Sequence, residues 1–351
     1  MDIMNPNSSG TTKFYGEIEE IEDEVESRFN LFKNFDTIPN PPADHRFLTY
    51  KKDSSMVLLE SPLGQKIQQE WNLLKKNLPK SIFVRVYESR IDLMRIVIIG
   101  PPFTPYHHGL FFFDIFFPRN YPSCPPKLYY HSYGLDLNPN LRPGGKVCLR
   151  MLATRYERII QEWYACYTQE WNPKHSSILH VLYSIQGLFM CAKPYSTDQY
   201  NKKAFELTCE IVIQVLREPP MNFEDFVKGY FRKRAHPILL KFRQEFDGNK
   251  DQLRIIELFT NLYRALEKNG TYCMHHLCFL KSIKGSTEEE SIIMEGYLFG
   301  GDDDYVEDDD VDDEEEGDDN EENKSDVDGN CNVDEVEDVK GGDNEEEKKA
   351  R

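Results

Sequence analysis

The chain has 351 residues, of which 39% are hydrophobic, and a formal net charge of −19. That is enough apolar material for a substantial core with extensions, or for two folded units. Its apolar runs, such as IVIIGPPF, fall far short of the roughly 20 residues that a bilayer span needs, which argues against an integral membrane protein.

The charge is unevenly placed. Residues 301–351 hold 26 acidic against 5 basic side chains and residues 1–28 hold 8 against 2, whereas residues 29–300 carry 35 basic against 27 acidic. A mildly basic body therefore sits between acidic ends, and neither a membrane nor a nucleic acid is expected as a partner. Eight cysteines, at 124, 148, 166, 191, 209, 273, 278 and 331, show no framework spacing. The opening MDIMNPNSSG has no basic-then-apolar signal pattern, so reduced thiols in the cytoplasm or nucleus are expected.

Residues 1–60 read as a mostly flexible acidic arm: GEIEEIEDEVESRF is rich in carboxylates, and the prolines of NFDTIPNPPADHRF oppose regular structure. A helix is predicted from Ser61-Pro62, a capping serine followed by a proline suited to the first turn, with Ile67, Trp71, Leu74 and Leu78 on one face and Pro79 as its end. Its exposed side carries Lys66, Lys75 and Lys76, with Lys80 just beyond. Four strands follow: IFVRVY (82–87), LMRIVIIG (93–100), GLFFFDIFF (109–117), buried on both faces or nearly so, and KLYYHS (127–132). The first two form a hairpin across ESRID. PRNYPSCPP, before the fourth strand, holds too many prolines to pair and makes a rigid crossing.

An irregular segment, NPNLRPGGKVCLRML (138–152), comes next. Helical spacing then returns at Ile178, Val181, Leu182, Ile185, Leu188 and Phe189, closed by Lys193-Pro194. Further helices are predicted from about Asp198 to Arg217, from NFEDFVKGYF toward Phe242, and over DQLRIIELFTNLYRAL to Asn269-Gly270. From Gly300 the acidic tail has almost nothing to bury. The expected organisation is an arm (1–60), a core (61–217), a helical extension (218–298) and a disordered acidic tail (299–351).

Cys148 raises the question of chemistry. A hydrolytic cysteine needs a base to form its thiolate and activate water, and the sequence places none of the nine histidines beside it. A cysteine that only carries an acyl group needs less: an accessible sulfur, a polar donor for the tetrahedral oxyanion, and shelter from water. Asn140 offers that donor, Gly144-Gly145 a sharp turn, and Lys146 a modest preference for thiolate. Equally, a cysteine between Val147 and Leu149 fits a small buried hydrophobe, and Asn-Pro-Asn an ordinary turn.

The run PYHHGLFFFDIFFPRNYPSCPPKLYYHSYGLDLNPNLRPGGKVCLRML, with WNP at 171–173 and LYSIQGLFMCAKPY beyond, resembles the core of the ubiquitin-conjugating enzymes. The similarity covers about residues 62–217 in collinear order. It is nearest to the subgroup with long N- and C-terminal extensions found in plants, related to an animal hybrid of conjugating enzyme and ligase. The resemblance implies an α+β fold, a four-stranded antiparallel meander packed on helices. It also implies a transferase whose Cys148 takes ubiquitin as a thioester from the activating enzyme and passes it to lysines of a substrate protein. A ligase is a further expected partner, and substrate selection by the chain's own extensions a further expectation. No cofactor is expected on this chain, ATP and magnesium being used by the activating enzyme. By resemblance Asn140 supports the oxyanion or orders the adjacent loop.

Several positions depart from the family pattern. Asn138 replaces the histidine of the family's His-Pro-Asn motif. Trp171 lies 23 residues after Cys148, farther than in the small members, and the added stretch repeats Gln-Glu-Trp. Ser196, with Asp198 nearby, falls where the family has an acidic gate, and Ser123 where many members present a large apolar contact to RING-type ligases. The basic face of the first helix is the expected dock for the activating enzyme. A ubiquitin-like cargo and a non-catalytic binding module of the same fold remain as alternatives, with a cysteine hydrolase more distant. CMHHLC (273–278) has the composition of half a metal site but lacks a second pair at matching distance.

Overall fold

Four β-branched and aromatic runs form the expected meander: β2 (Ile82–Tyr87), β3 (Leu93–Ile99), β4 (Leu110–Phe116) and β5 (Lys127–Tyr130), each antiparallel to the next. In this computed structural model the described residues are 23–50, 60–149, 170–190, 198–246 and 252–277. Register places Ile82, Val84 and Val86 opposite Ile98, Ile96 and Met94, which in turn face Phe111, Phe113 and Ile115. These side chains share one apolar cluster with Ile67, Trp71 and Leu74 of α2 (Pro62–Asn77) and with Ile178, Val181 and Leu182 of α3 (Ile178–Ser184). The α2 start is as predicted, since Ser61 Oγ accepts the Gly64 N–H at 3.0 Å.

Alternation sends Phe83, Arg85, Arg95, Val97, Phe112 and Asp114 to the other face, and there the structure corrects the sequence reading. Residues 23–50, read as part of a flexible arm, are folded onto the sheet. Helix α1 (Glu24–Asn30) leads into β1 (Phe35–Ile38), which adds a fifth, parallel edge strand beside β2. Phe32 lies 6.1 Å from Phe83 and 5.0 Å from Phe226, whose own ring is 4.3 Å from Phe83. The Arg85 guanidinium stacks 3.8 Å from the Phe32 ring and donates to the Lys33 carbonyl.

A buried charge network fixes the arm. Arg95 and Asp114, both 0% exposed, stand opposite each other in register, with Arg95 Nε donating to Asp114 Oδ1 at 2.7 Å. Asp44 takes a second Arg95 bond at 2.8 Å and also the Met221 N–H, while the Arg46 N–H donates to Asp114. Burial alone would raise the Asp114 carboxyl, but His131, whose Nε2 lies 3.0 Å away, and the hydrogen-bonded Arg95 outweigh it and hold the group well below the usual carboxylate range. Arm, meander and the start of the C-terminal region thus meet at two charged side chains.

The C-terminal helices are α4 (Asp198–Arg217), α5 (Glu224–Phe246) and α6 (Gln252–Lys268). They follow the predicted periodicity, α5 running past Pro237 to Phe246. Phe205 of α4 packs against Phe242 and Phe246 of α5, and Phe242 against Phe259 of α6. After α3 the chain continues in a π-helical turn, Ile185–Phe189. Among the described residues no helix is long and apolar enough to cross a membrane. The Lys193-Pro194 stop, Ser196, the inserted stretch up to residue 169 and the acidic tail lie outside the described residues.

Candidate active site

Past β5 the chain doubles back on itself and then lies against the edge of that strand. Leu141 bridges both Asn138 and Val147, and Lys146 bridges Tyr129. The Tyr130 N–H donates to the Gly145 carbonyl at 2.8 Å and the Arg142 N–H to the Lys146 carbonyl at 3.0 Å. Gly145 is required where it stands: its φ is +81°, and a Cβ there would sit 2.1 Å from the Tyr129 ring.

This turn sorts the side chains around Cys148. Val147 is 8% exposed and Leu149 2%, both within the core, whereas Cys148 between them is only half-buried. The alternation rejects the reading of Cys148 as a packed hydrophobe. Of the other described cysteines, Cys209 and Cys273 are buried, and burial pushes both thiols up, that of Cys273 to about 11. Cys124 shares the partial exposure of Cys148, but its sulfur accepts a hydrogen bond from Asn120 Nδ2.

Asn140 and Cys148, paired by the sequence at an eight-residue offset, are brought together. The Cys148 N–H donates to the Asn140 carbonyl at 2.8 Å. Asn140 is itself held by Asn138, whose Oδ1 accepts the Asn140 N–H at 2.8 Å. The Asn138 amide is 1% exposed and donates to the Tyr106 hydroxyl at 2.8 Å and the Phe189 carbonyl at 2.9 Å. Asparagine at 138 therefore satisfies three partners from one buried side chain, and its polar inventory suits the task. The nearby Ser132 hydroxyl donates to the Pro143 carbonyl.

A second support, missed in the sequence, is Glu70. Its carboxylate is 1% exposed yet accepts from Tyr121 Oη at 2.7 Å and from the Ile178 N–H at 3.1 Å, with Lys66 Nζ at 3.2 Å. Burial first, and then Glu70, raise the Tyr121 hydroxyl above its ordinary pKa. Trp171 packs 5.7 Å from Tyr121 and donates to the Pro122 carbonyl at 2.7 Å. This ties WNP to the proline-rich crossing. The signal was present: Ile67, Glu70, Trp71 and Leu74 share the i, i+3, i+4, i+7 face, so a carboxylate stood in the apolar stripe.

Of the other positions singled out, Ser123 is exposed, and Lys75, Leu78 and Lys80 share a shallow cleft with arm residues Lys33, Asn34 and Phe35. Lys75 Nζ lies 5.1 Å from the Phe35 ring, so the docked arm forms one wall of the basic helix face.

The profile of the family described as "Ubiquitin-conjugating enzyme" matches residues 66–214, and the chain belongs to that family. It is 40% identical over 236 residues to the putative ubiquitin-conjugating enzyme E2 39 of Arabidopsis thaliana, covering 62% of this chain and 71% of the relative. It is 41% identical over 234 residues to the probable ubiquitin-conjugating enzyme E2 24 of the same plant, 62% of this chain but 25% of that protein. The human dual E2 ubiquitin-conjugating enzyme/E3 ubiquitin-protein ligase BIRC6 is 35% identical over 252 residues, 65% of this chain and 5% of its own length. The chain thus spans only a fraction of several of its relatives.

Proposed function

We propose that this chain is an active ubiquitin-conjugating enzyme that carries the modifier on Cys148 and delivers it to substrate lysines. In the first step the Cys148 sulfur attacks the thioester held by the activating enzyme, and that enzyme's thiol leaves, so one thioester replaces another. In the second, a neutral lysine amine attacks the carbonyl carbon. A tetrahedral oxyanion forms, collapses with Cys148 thiolate as leaving group, and the amine's surplus proton passes to solvent, leaving an isopeptide bond.

The observation that carries the reading is the exposure of Cys148 between two core residues, its own N–H tied to Asn140. Asn140 stabilises the oxyanion or orders the turn, and the two roles separate kinetically. Neither step calls for a cofactor on this chain. Ubiquitin and the activating enzyme are the proposed partners, with a substrate protein and a ligase. The human relative, named a dual conjugating enzyme and ligase, supports substrate selection through the extensions.

Incubation with activating enzyme, ATP and ubiquitin should give a reductant-sensitive adduct, missing in Cys148→Ala. Asn140→Ala should still charge but discharge to free lysine at least about tenfold more slowly, the scale of a lost oxyanion donor. No adduct on the wild type would instead support a non-catalytic binding module.

A further inference from the structure

The sequence left CMHHLC without a partner, and the fold supplies one. His236 of α5, His275 and His276 each offer a ligand atom, all within 4.8 Å of one another. His236 Nδ1 and His276 Nε2 are 3.2 Å apart, and the His236 and His275 rings are stacked at 5.0 Å. Two nitrogens bound to one tetrahedral zinc at about 2.0 Å stand about 3.3 Å apart, so this pair already has the spacing of two ligands of a single ion.

The backbone that brings them together is firmly placed. Successive turns of α5 present Lys228, Arg232 and His236 to the segment after α6. Asn269 Nδ2 donates to the Lys228 carbonyl at 3.0 Å, and Arg232 Nε to the Asn269 carbonyl at 2.9 Å. Gly270, at φ +89°, turns the chain beneath Arg232, where a Cβ would stand 2.6 Å from the guanidinium. The Met274–Leu277 turn of 3₁₀ helix then lays both histidines over His236, with the His276 N–H on the Cys273 carbonyl at 2.9 Å. Three imidazoles meet there with no carboxylate in the group.

We infer that His236, His275 and His276 form a binding site for one divalent transition-metal ion of the zinc class, clipping the segment after α6 to α5. Imidazole nitrogens suit zinc, cobalt, nickel and copper far better than calcium or magnesium. With three protein ligands, a fourth position is left to water or an incoming donor.

The test is titration of the full chain with Zn²⁺ by calorimetry, and with Co²⁺ by absorption. One ion per chain is expected, with an affinity at least about tenfold weaker in each of His236→Gln and His275→Gln, both exposed positions. A Zn²⁺-dependent rise in the thermal midpoint should be present in the wild type and reduced in both variants, and binding should weaken as pH falls from 7 to 5. The Co²⁺ spectrum should lack sulfur-to-metal charge transfer. Undiminished affinity in the two variants, a thiolate charge-transfer band, or no binding by the wild type would each overturn the site.

Discussion

The meander and the loop that follows it are joined at β5 yet held by different forces. In β2, β3 and β4 nearly every side chain is buried, and order comes from apolar contact on both faces. In residues 138–148 only Leu141 and Val147 join that core, and the rest of the order comes from polar contacts: Asn138 to Tyr106, Phe189 and Asn140, and Gly145 to Tyr130. Apolar burial is non-directional, whereas hydrogen bonds fix orientation. A reacting sulfur has to be exposed on one side and held still on the other, which the second kind of construction provides.

That contrast can be broken at its exception, the charged pair inside the meander. Asp114→Ala leaves Arg95 buried with Asp44 as its main counter-charge, and should cost about 3–5 kcal/mol of unfolding free energy in urea. It should also free the arm, seen as faster proteolysis within residues 23–50. In the loop, Asn138→Ala removes the bonds to the Tyr106 hydroxyl, the Phe189 carbonyl and the Asn140 N–H, and should cost about 2 kcal/mol. Its loss of thioester formation should exceed what global stability explains, because the damage falls on the turn that presents Cys148.

A smaller effect concerns acid. Burial, then His107, push His108 down to about 3, so the native state binds fewer protons than the unfolded chain, whose histidine titrates near 6.5. Stability contributed by keeping this ring neutral is therefore present above about pH 6.5 and declines as pH falls below it. His108→Asn suits the residue's φ of +72°. It should leave the midpoint at pH 7 nearly unchanged and reduce the loss between pH 7 and 5 by about 1 kcal/mol, solvent screening of a partly exposed ring roughly halving the full linkage value of about 2 kcal/mol. An unchanged slope would show that the other buried histidines dominate.

What the sequence disclosed follows the same division. Strands and helices whose periodicity lies within one segment were legible, among them Pro62–Asn77 with its serine cap and Asp198–Arg217. Family resemblance singled out Cys148 and Asn140 through motif and spacing. Residues 23–50 were misread because nothing in the segment itself shows that Phe32 meets Phe83 and Phe226 or that Asp44 meets Arg95. The clue lay elsewhere in the chain: Arg95 in LMRIVII and Asp114 in LFFFDIFF are charges inside strands with no exposed face, and such charges require distant partners. His236 escaped for the same reason, being separated from His275 by the whole of α6.

The most direct test of the central claim replaces one atom. Cys148→Ser, charged with activating enzyme, ATP and ubiquitin, should accumulate an oxyester that survives thiol reductant, whereas the wild-type adduct is cleaved and both map to the peptide containing residue 148. A reductant-sensitive adduct persisting in Cys148→Ser would place the acyl group on another sulfur and contradict the account.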